Sequence, residues 1–194
     1  MPNRFGPLAK ALDLAALAAL WLLPACLGAD GQEAIPTTTA ADYVAPANVD
    51  TAGLPGPVQP IFYRHDVHAG QYKMDCRYCH FAAEVSPHPG IPSIYPTCMG
   101  CHSIVGGDNP EVEKLRETAM NEQPVEWIKV HRLPPFVHFP HMRHVKAGGI
   151  TCQTCHGPVQ EMARVYQFSS LKMGWCLDCH KKNEQTTDCT ACHY

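Results

Sequence analysis

Five copies of one short word carry the chemistry of this chain: two cysteines separated by two residues and followed at once by histidine, at Cys76 to His80, Cys98 to His102, Cys152 to His156, Cys176 to His180 and Cys189 to His193. Thiols at this spacing form thioether bonds to the two vinyl groups of a haem, and the histidine that follows binds the iron from one side. Zinc knuckles and iron–sulfur sites share the two-residue spacer but have no need of histidine after the second cysteine. Histidine makes up 12 of 194 residues, so five such placements by chance have odds of about one in a million, whereas haem attachment demands each one. The words predict five covalently bound haem c groups, attached through Cys76, Cys79, Cys98, Cys101, Cys152, Cys155, Cys176, Cys179, Cys189 and Cys192. His80, His102, His156, His180 and His193 are then the proximal iron ligands.

Each iron so held has a second face. Seven histidines lie outside the words: His65, His68, His88, His131, His138, His141 and His144. Two His-x-x-His pairs stand seven residues before a haem word, His65 and His68 before Cys76, and His141 and His144 before Cys152. The spacing presents both rings of a pair on neighbouring helical positions, free to serve different haems. These four are expected as distal ligands. Five haems need one more, and His131 is the expected choice, flanked by Trp127 and by Pro134-Pro135, which stiffen its segment. His88 sits between prolines in a turn-like stretch, and His138 crowds His141. Met99, Met162 and Met173 are the competing ligands, read here as packing against porphyrin. Seven candidate histidines can saturate five irons, which leaves no open site for a substrate and argues for electron transfer over an enzyme such as a multihaem nitrite reductase.

The elements that must position these groups follow from the same spacing. His-x2-His-x7-Cys-x2-Cys-His occurs twice, each copy followed by a further word after 17 or 19 residues, with the fifth word one residue short of the C-terminus. The domain, residues 61–194, therefore reads as two dihaem modules plus one haem. So few residues around five porphyrins cannot build a conventional apolar core, which makes the haems the core. The predicted fold is mostly α with extensive coil and almost no strand. The best helix opens at Asn109-Pro110, a cap followed by a proline at the first helical position, with Glu111 and Glu113 near its positive end, and runs to about Asn121 before Pro124. His88-Pro89-Gly90 and Gly106-Gly107 read as turns.

Ten of the eleven cysteines are consumed by the words, which excludes a disulfide framework and leaves Cys26. Residues 1–25 carry Arg4 and Lys10 and then an uncharged apolar run from Leu14 to Leu23, the anatomy of an export signal and too short for a spanning helix of about 20 residues. Leu23-Pro24-Ala25-Cys26 looks like a lipobox, with Cys26 the lipid attachment site at the mature N-terminus. The alternative is an uncleaved anchor over Ala11 to Ala29. Residues 26–60, rich in Pro, Ala and Thr, read as a spacer that stands the haem domain off the membrane or lies along a partner. From 61 onward 13 acidic residues balance 13 Lys and Arg, so there is no basic stripe for nucleic acid and no lysine-rich docking face of a diffusing shuttle.

The connecting sequences carry a resemblance more specific than the words. HxxHAG before DCRYCH, then TCMGCH, EWIKVHRLP, FPHMRHVKAG, CQTCHGPVQEM, MGWCLDCH and the terminal TDCTACHY resemble the pentahaem cytochrome c subunit of alternative complex III, of class III multihaem type. The resemblance implies an electron-transfer subunit, not itself catalytic, on the periplasmic face of the cytoplasmic membrane. It implies as partners an iron–sulfur/molybdopterin-like subunit and integral membrane quinol-binding subunits, with a monohaem cytochrome c or terminal oxidase as acceptor. It also carries the EWIKVHRLP segment that holds His131. Cytochromes of this type accompany other molybdopterin oxidoreductases as well.

Overall fold

The computed structural model describes residues 39–194. The export segment, Cys26 and the first part of the spacer lie outside the described residues. Among the described residues there is no strand, as expected: five short α-helices and several tighter or wider helical turns are joined by coil. The helices are α1 (Cys76–Cys79), α2 (Met99–His102), α3 (Pro110–Met120), α4 (Cys152–His156) and α5 (Met173–Lys182). No helix among them is long and apolar enough to cross a membrane.

α3 forms where its capping signals place it. The Asn109 side-chain oxygen accepts the Glu111 N–H at 2.9 Å, and Pro110 occupies the first turn. Val112, Leu115 and Ala119 fall on one face and are buried. That face packs against α2 and the turn Ile94–Cys98, so the longest helix serves as a splint for the second haem word. Arg116 completes the joint: its guanidinium donates to the carbonyls of His102 at 2.7 Å and of Val105 and Gly107 at 3.3 Å, satisfying carbonyls at and beyond the end of α2.

The two repeats pack crosswise. The turn Phe81–Glu84, just after the first word, lies against Arg143–Ala147, which carries the second histidine of the second His-x-x-His pair. The turn Val159–Glu161, just after the third word, lies against Asp66–Gln71, which carries the second histidine of the first pair. The hydrogen bonds repeat with the packing: Met142 N–H donates to the Ser86 carbonyl and Asp66 N–H to the Met162 carbonyl, both at 3.3 Å. In each case the donor is one residue past the first histidine of a pair and the acceptor six past the histidine of the other module's word. The modules are thus related by an internal pseudo-twofold exchange.

Residues 39–60, the described part of the expected spacer, lie along the haem domain. Thr39 Oγ1 donates to the Gly70 carbonyl at 2.8 Å, Ala45 N–H to Gln71 Oε1 at 3.1 Å, and Arg164 Nη1 to the Leu54 carbonyl at 3.1 Å. Gln59 exchanges two hydrogen bonds with the backbone of Ile128, at 2.8 and 2.9 Å. Arg64 donates to the Pro46 carbonyl and pairs with Asp66, the most deeply buried side chain at 1 % exposure, whose second stabilising contact is the Val67 N–H.

At Gly70 the strap and the two modules meet: a Cβ there would stand 2.2 Å from the Gln160 carbonyl oxygen and 2.9 Å from Tyr43 Cε1, whereas a Cβ at Gly53 meets nothing within 4 Å. Gly70→Ala is therefore expected to cost about 1–3 kcal/mol by forcing backbone apart, lowering the thermal midpoint by several degrees. Gly53→Ala is expected to leave it unchanged. Thermal melts of the purified holoprotein followed by circular dichroism check both, and equal midpoints for the two variants would contradict the interlock.

Candidate haem sites

Each word folds so that its three chemical side chains share a face, because positions i, i+3 and i+4 lie together on a helical turn. The residue ahead of the first cysteine starts the turn: Asp75 accepts the Arg77 N–H at 2.8 Å, and Thr151 and Asp188 sit extended at the same place before Cys152 and Cys189. The fourth word rides on α5, whose Lys181 and Lys182 favour its negative C-terminal end.

A histidine that binds metal through Nε2 carries its proton on Nδ1 and needs an acceptor there. The structure supplies one for most candidates. Among the word histidines, Nδ1 donates to main-chain carbonyls: His80 to Gly90 at 3.3 Å, His102 to Val105 at 3.1 Å, His180 to Thr186 at 2.6 Å and His193 to Phe136 at 2.9 Å. Among the pairs, His68 donates to Arg64 at 2.8 Å, His144 to Pro140 at 3.1 Å and His141 to Pro87 at 3.3 Å. His156 differs, with its Nδ1 3.3 Å from Nε2 of His131. His65 Nδ1 is buried with no hydrogen-bond partner.

Two imidazoles on opposite sides of one iron, with metal–nitrogen bonds of about 2 Å, hold their ring centroids about 6 Å apart. His68 and His102 stand 6.0 Å apart, His144 and His180 6.1 Å, and His141 and His156 6.3 Å. His65 lies near His80. The second histidine of each pair thus faces the second word of its module, and the first histidine its own word. This ring spacing, together with the Nδ1 acceptors, fits haem as the group these residues hold, and the group would supply reversible one-electron chemistry at its iron.

Burial keeps these rings in the neutral form that binds metal. It lowers His65 to about 3 and His156 to about 4, with neighbouring imidazoles (His80 and His68; His131, His141 and His80) adding to the effect. His68, His131, His141 and His144 are lowered for the same first reason. The sulfurs of Cys76 and Cys152, the leading cysteines of the matching words, stand within contact of each other. The first words of the two modules are therefore neighbours.

The remaining expectations distribute unevenly. His131 lies at His156, ring centroids 4.4 Å apart and nearly perpendicular at 81°. His138 lies at the fifth word: its N–H donates to the Cys192 carbonyl at 2.8 Å and its ring stacks on Tyr194. The ring against His193 is Phe136, at 5.8 Å. His88 stands near enough to His141 to act on its charge. Met162 is buried, and Met173 is exposed. Two aromatics escaped the sequence reading: Tyr63 stacks on His68 and meets His65 edge-on, and Phe139 does the same to His144 and His141. Each stands two residues before its pair, a regularity visible in the sequence once the repeat is aligned.

Residues 137–194 match the family described as cytochrome c7 and related cytochrome c. The chain is similar to the menaquinone reductase, multiheme cytochrome c subunit, of Nitratidesulfovibrio vulgaris (strain Hildenborough), with 27 % identity over 161 residues covering 70 % of this chain and 76 % of that protein. The geometry above and these matches fit a mostly helical, multihaem c-type cytochrome with covalently held haem c and a part in electron transfer.

Removing one imidazole of a facing pair is expected to open one iron. His68→Ala and His144→Ala should each convert a single haem to a high-spin state that binds carbon monoxide in the reduced protein, the others keeping their spin states. Absorption and electron paramagnetic resonance spectra check this, and a variant with an unaltered spin count would remove that histidine from the ligand set.

Proposed function

We propose that the chain is the pentahaem electron-transfer subunit of a quinol-oxidising membrane complex of the alternative complex III kind. It relays electrons through five haems on the periplasmic face of the cytoplasmic membrane. The observation that carries the reading is the set of three facing imidazole pairs near 6 Å, found in both modules: an iron closed on both faces exchanges electrons with little rearrangement and leaves no coordination position for substrate. In this reading His65 and His80, His68 and His102, His141 and His156, and His144 and His180 are the ligand pairs of four haems, and His193 holds the fifth. The contact of Cys76 with Cys152 supports passage from one module to the other.

The partners in this reading are an iron–sulfur/molybdopterin-like subunit and integral membrane quinol-binding subunits, with a monohaem cytochrome c or terminal oxidase as acceptor. Cys26 is the lipid attachment site, which keeps the domain at the membrane. A second reading, reduction of menaquinone with electrons delivered by this chain, is favoured by the similarity to a menaquinone reductase subunit.

Purification from membranes in mild detergent is expected to bring down the quinol-binding and iron–sulfur/molybdopterin-like subunits, and added quinol is expected to reduce the haems. Haem oxidation by added menaquinone, with no reduction by quinol, would select the second reading. Intact mass is expected to show five haems on a lipid-bearing chain that starts at Cys26; retention of residues 1–25 would replace the lipid with a peptide anchor.

A further inference from the structure

We propose that His131 is a positioning residue for His156: its Nε2 takes the hydrogen bond that His156 Nδ1–H must give, the place main-chain carbonyls fill at the other four haem words. The inference rests on the reading of Cys152 to His156 as a haem site, and it gives His131 a different role from the distal one that its flanking residues suggest.

Three observations carry it. At four words the acceptor for the proximal Nδ1 is a carbonyl, from Gly90, Val105, Thr186 and Phe136, and only at His156 is it a side chain, at 3.3 Å. The pseudo-twofold makes this a substitution at a known place. His80 and His156 are equivalent, and where the loop after the first word returns Gly90 to His80, the chain after the third word leaves on Gly157, with φ +72° and its hydrogen face against Phe168. His131 stands in for the carbonyl that this departure removes. Lastly, a trans ligand needs ring centroids about 6 Å apart. His141 holds that place at 6.3 Å and 18°, while His131 at 4.4 Å and 81° meets the Nδ1 edge of the ring.

An imidazole has one donor and one acceptor nitrogen when neutral. With His156 donating from Nδ1, His131 accepts at Nε2 and carries its own proton on Nδ1. The segment that presents it is clamped, since Gln59 holds Ile128, three residues upstream, through both its N–H and its carbonyl. An acceptor on Nδ1–H raises the basicity of the ligating nitrogen, which favours ferric iron. His131 therefore holds the potential of one central haem down, at the junction of the two modules.

The test uses the full-length holoprotein and two substitutions. His131→Phe keeps the volume of a ring and removes the acceptor; His131→Gln keeps an acceptor oxygen. The haem content, the spin states and the extent of carbon monoxide binding of both are expected to match the wild type. In His131→Phe one of the midpoint potentials is expected to rise by about 59 mV, a tenfold change in a one-electron equilibrium, and His131→Gln is expected to recover most of that rise. One haem turning high-spin in His131→Phe would make His131 a distal ligand and overturn the proposal. Unchanged potentials, or the same rise in both variants, would overturn it as well. Peptide mass mapping of the wild type stands apart from these outcomes: absence of haem on Cys152 and Cys155 would sink the underlying reading of the site rather than the role of His131.

Discussion

A histidine that gives Nε2 to a metal must place its Nδ1–H on an acceptor, and much of this chain is arranged around that one hydrogen bond. The carbonyls of Gly90, Val105, Thr186 and Phe136 each come from a loop that bends back to a haem word. Those of Arg64 and Pro140 come from the turn that presents the distal candidate itself. Fixing Nδ1 fixes the tautomer and the ring plane, so the direction in which Nε2 points is decided by backbone rather than by solvent. Loops that would otherwise be free to vary are held to this geometry. A chain with so few buried apolar side chains, six among the described residues, can still specify where each imidazole stands.

The second constraint is the crosswise packing of the repeats. Each module places its His-x-x-His turn on the segment following the other module's first word, so neither set of ligands is positioned by its own module alone. The buried Asp66, held by Arg64 and by the Val67 N–H, and the missing side chain of Gly70 make the closest part of this contact. Exchange of equivalent surfaces between two copies is the arrangement of a twofold dimer, here within one chain. It also brings Cys76 to Cys152, which sets the first words of the modules side by side for a relay that crosses from one to the other.

The pseudo-symmetry is broken where the chain has to continue. After the first word the polypeptide loops back over its own histidine; after the third it departs along Gly157 toward α5 and the last word. The broken positions are the chemically distinctive ones: a side-chain acceptor at His156, an orphaned Nδ1 at His65, and a fifth word pinned by Phe136 and His138 at the C-terminal end.

The sequence by itself carried the five haem words, the repeat, the absence of strands among the described residues, and α3 with its Asn109 cap. These depend on spacings of a few residues, which one turn of helix converts directly into geometry. It also contained, unread, the aromatic two residues before each histidine pair. Only the tertiary structure decided which imidazole faces which. His131, His138 and His88 are all plausible by flanking sequence, and their places at His156, at Cys192 and beside His141 depend on contacts between segments tens of residues apart. The spacer shows the same limit: its composition of Pro, Ala and Thr is that of a linker, yet from Thr39 onward it is bound to the haem domain. The bonds that hold it, from Gly70, Gln71, Ile128 and Arg164, come from far along the chain and leave no mark on local composition.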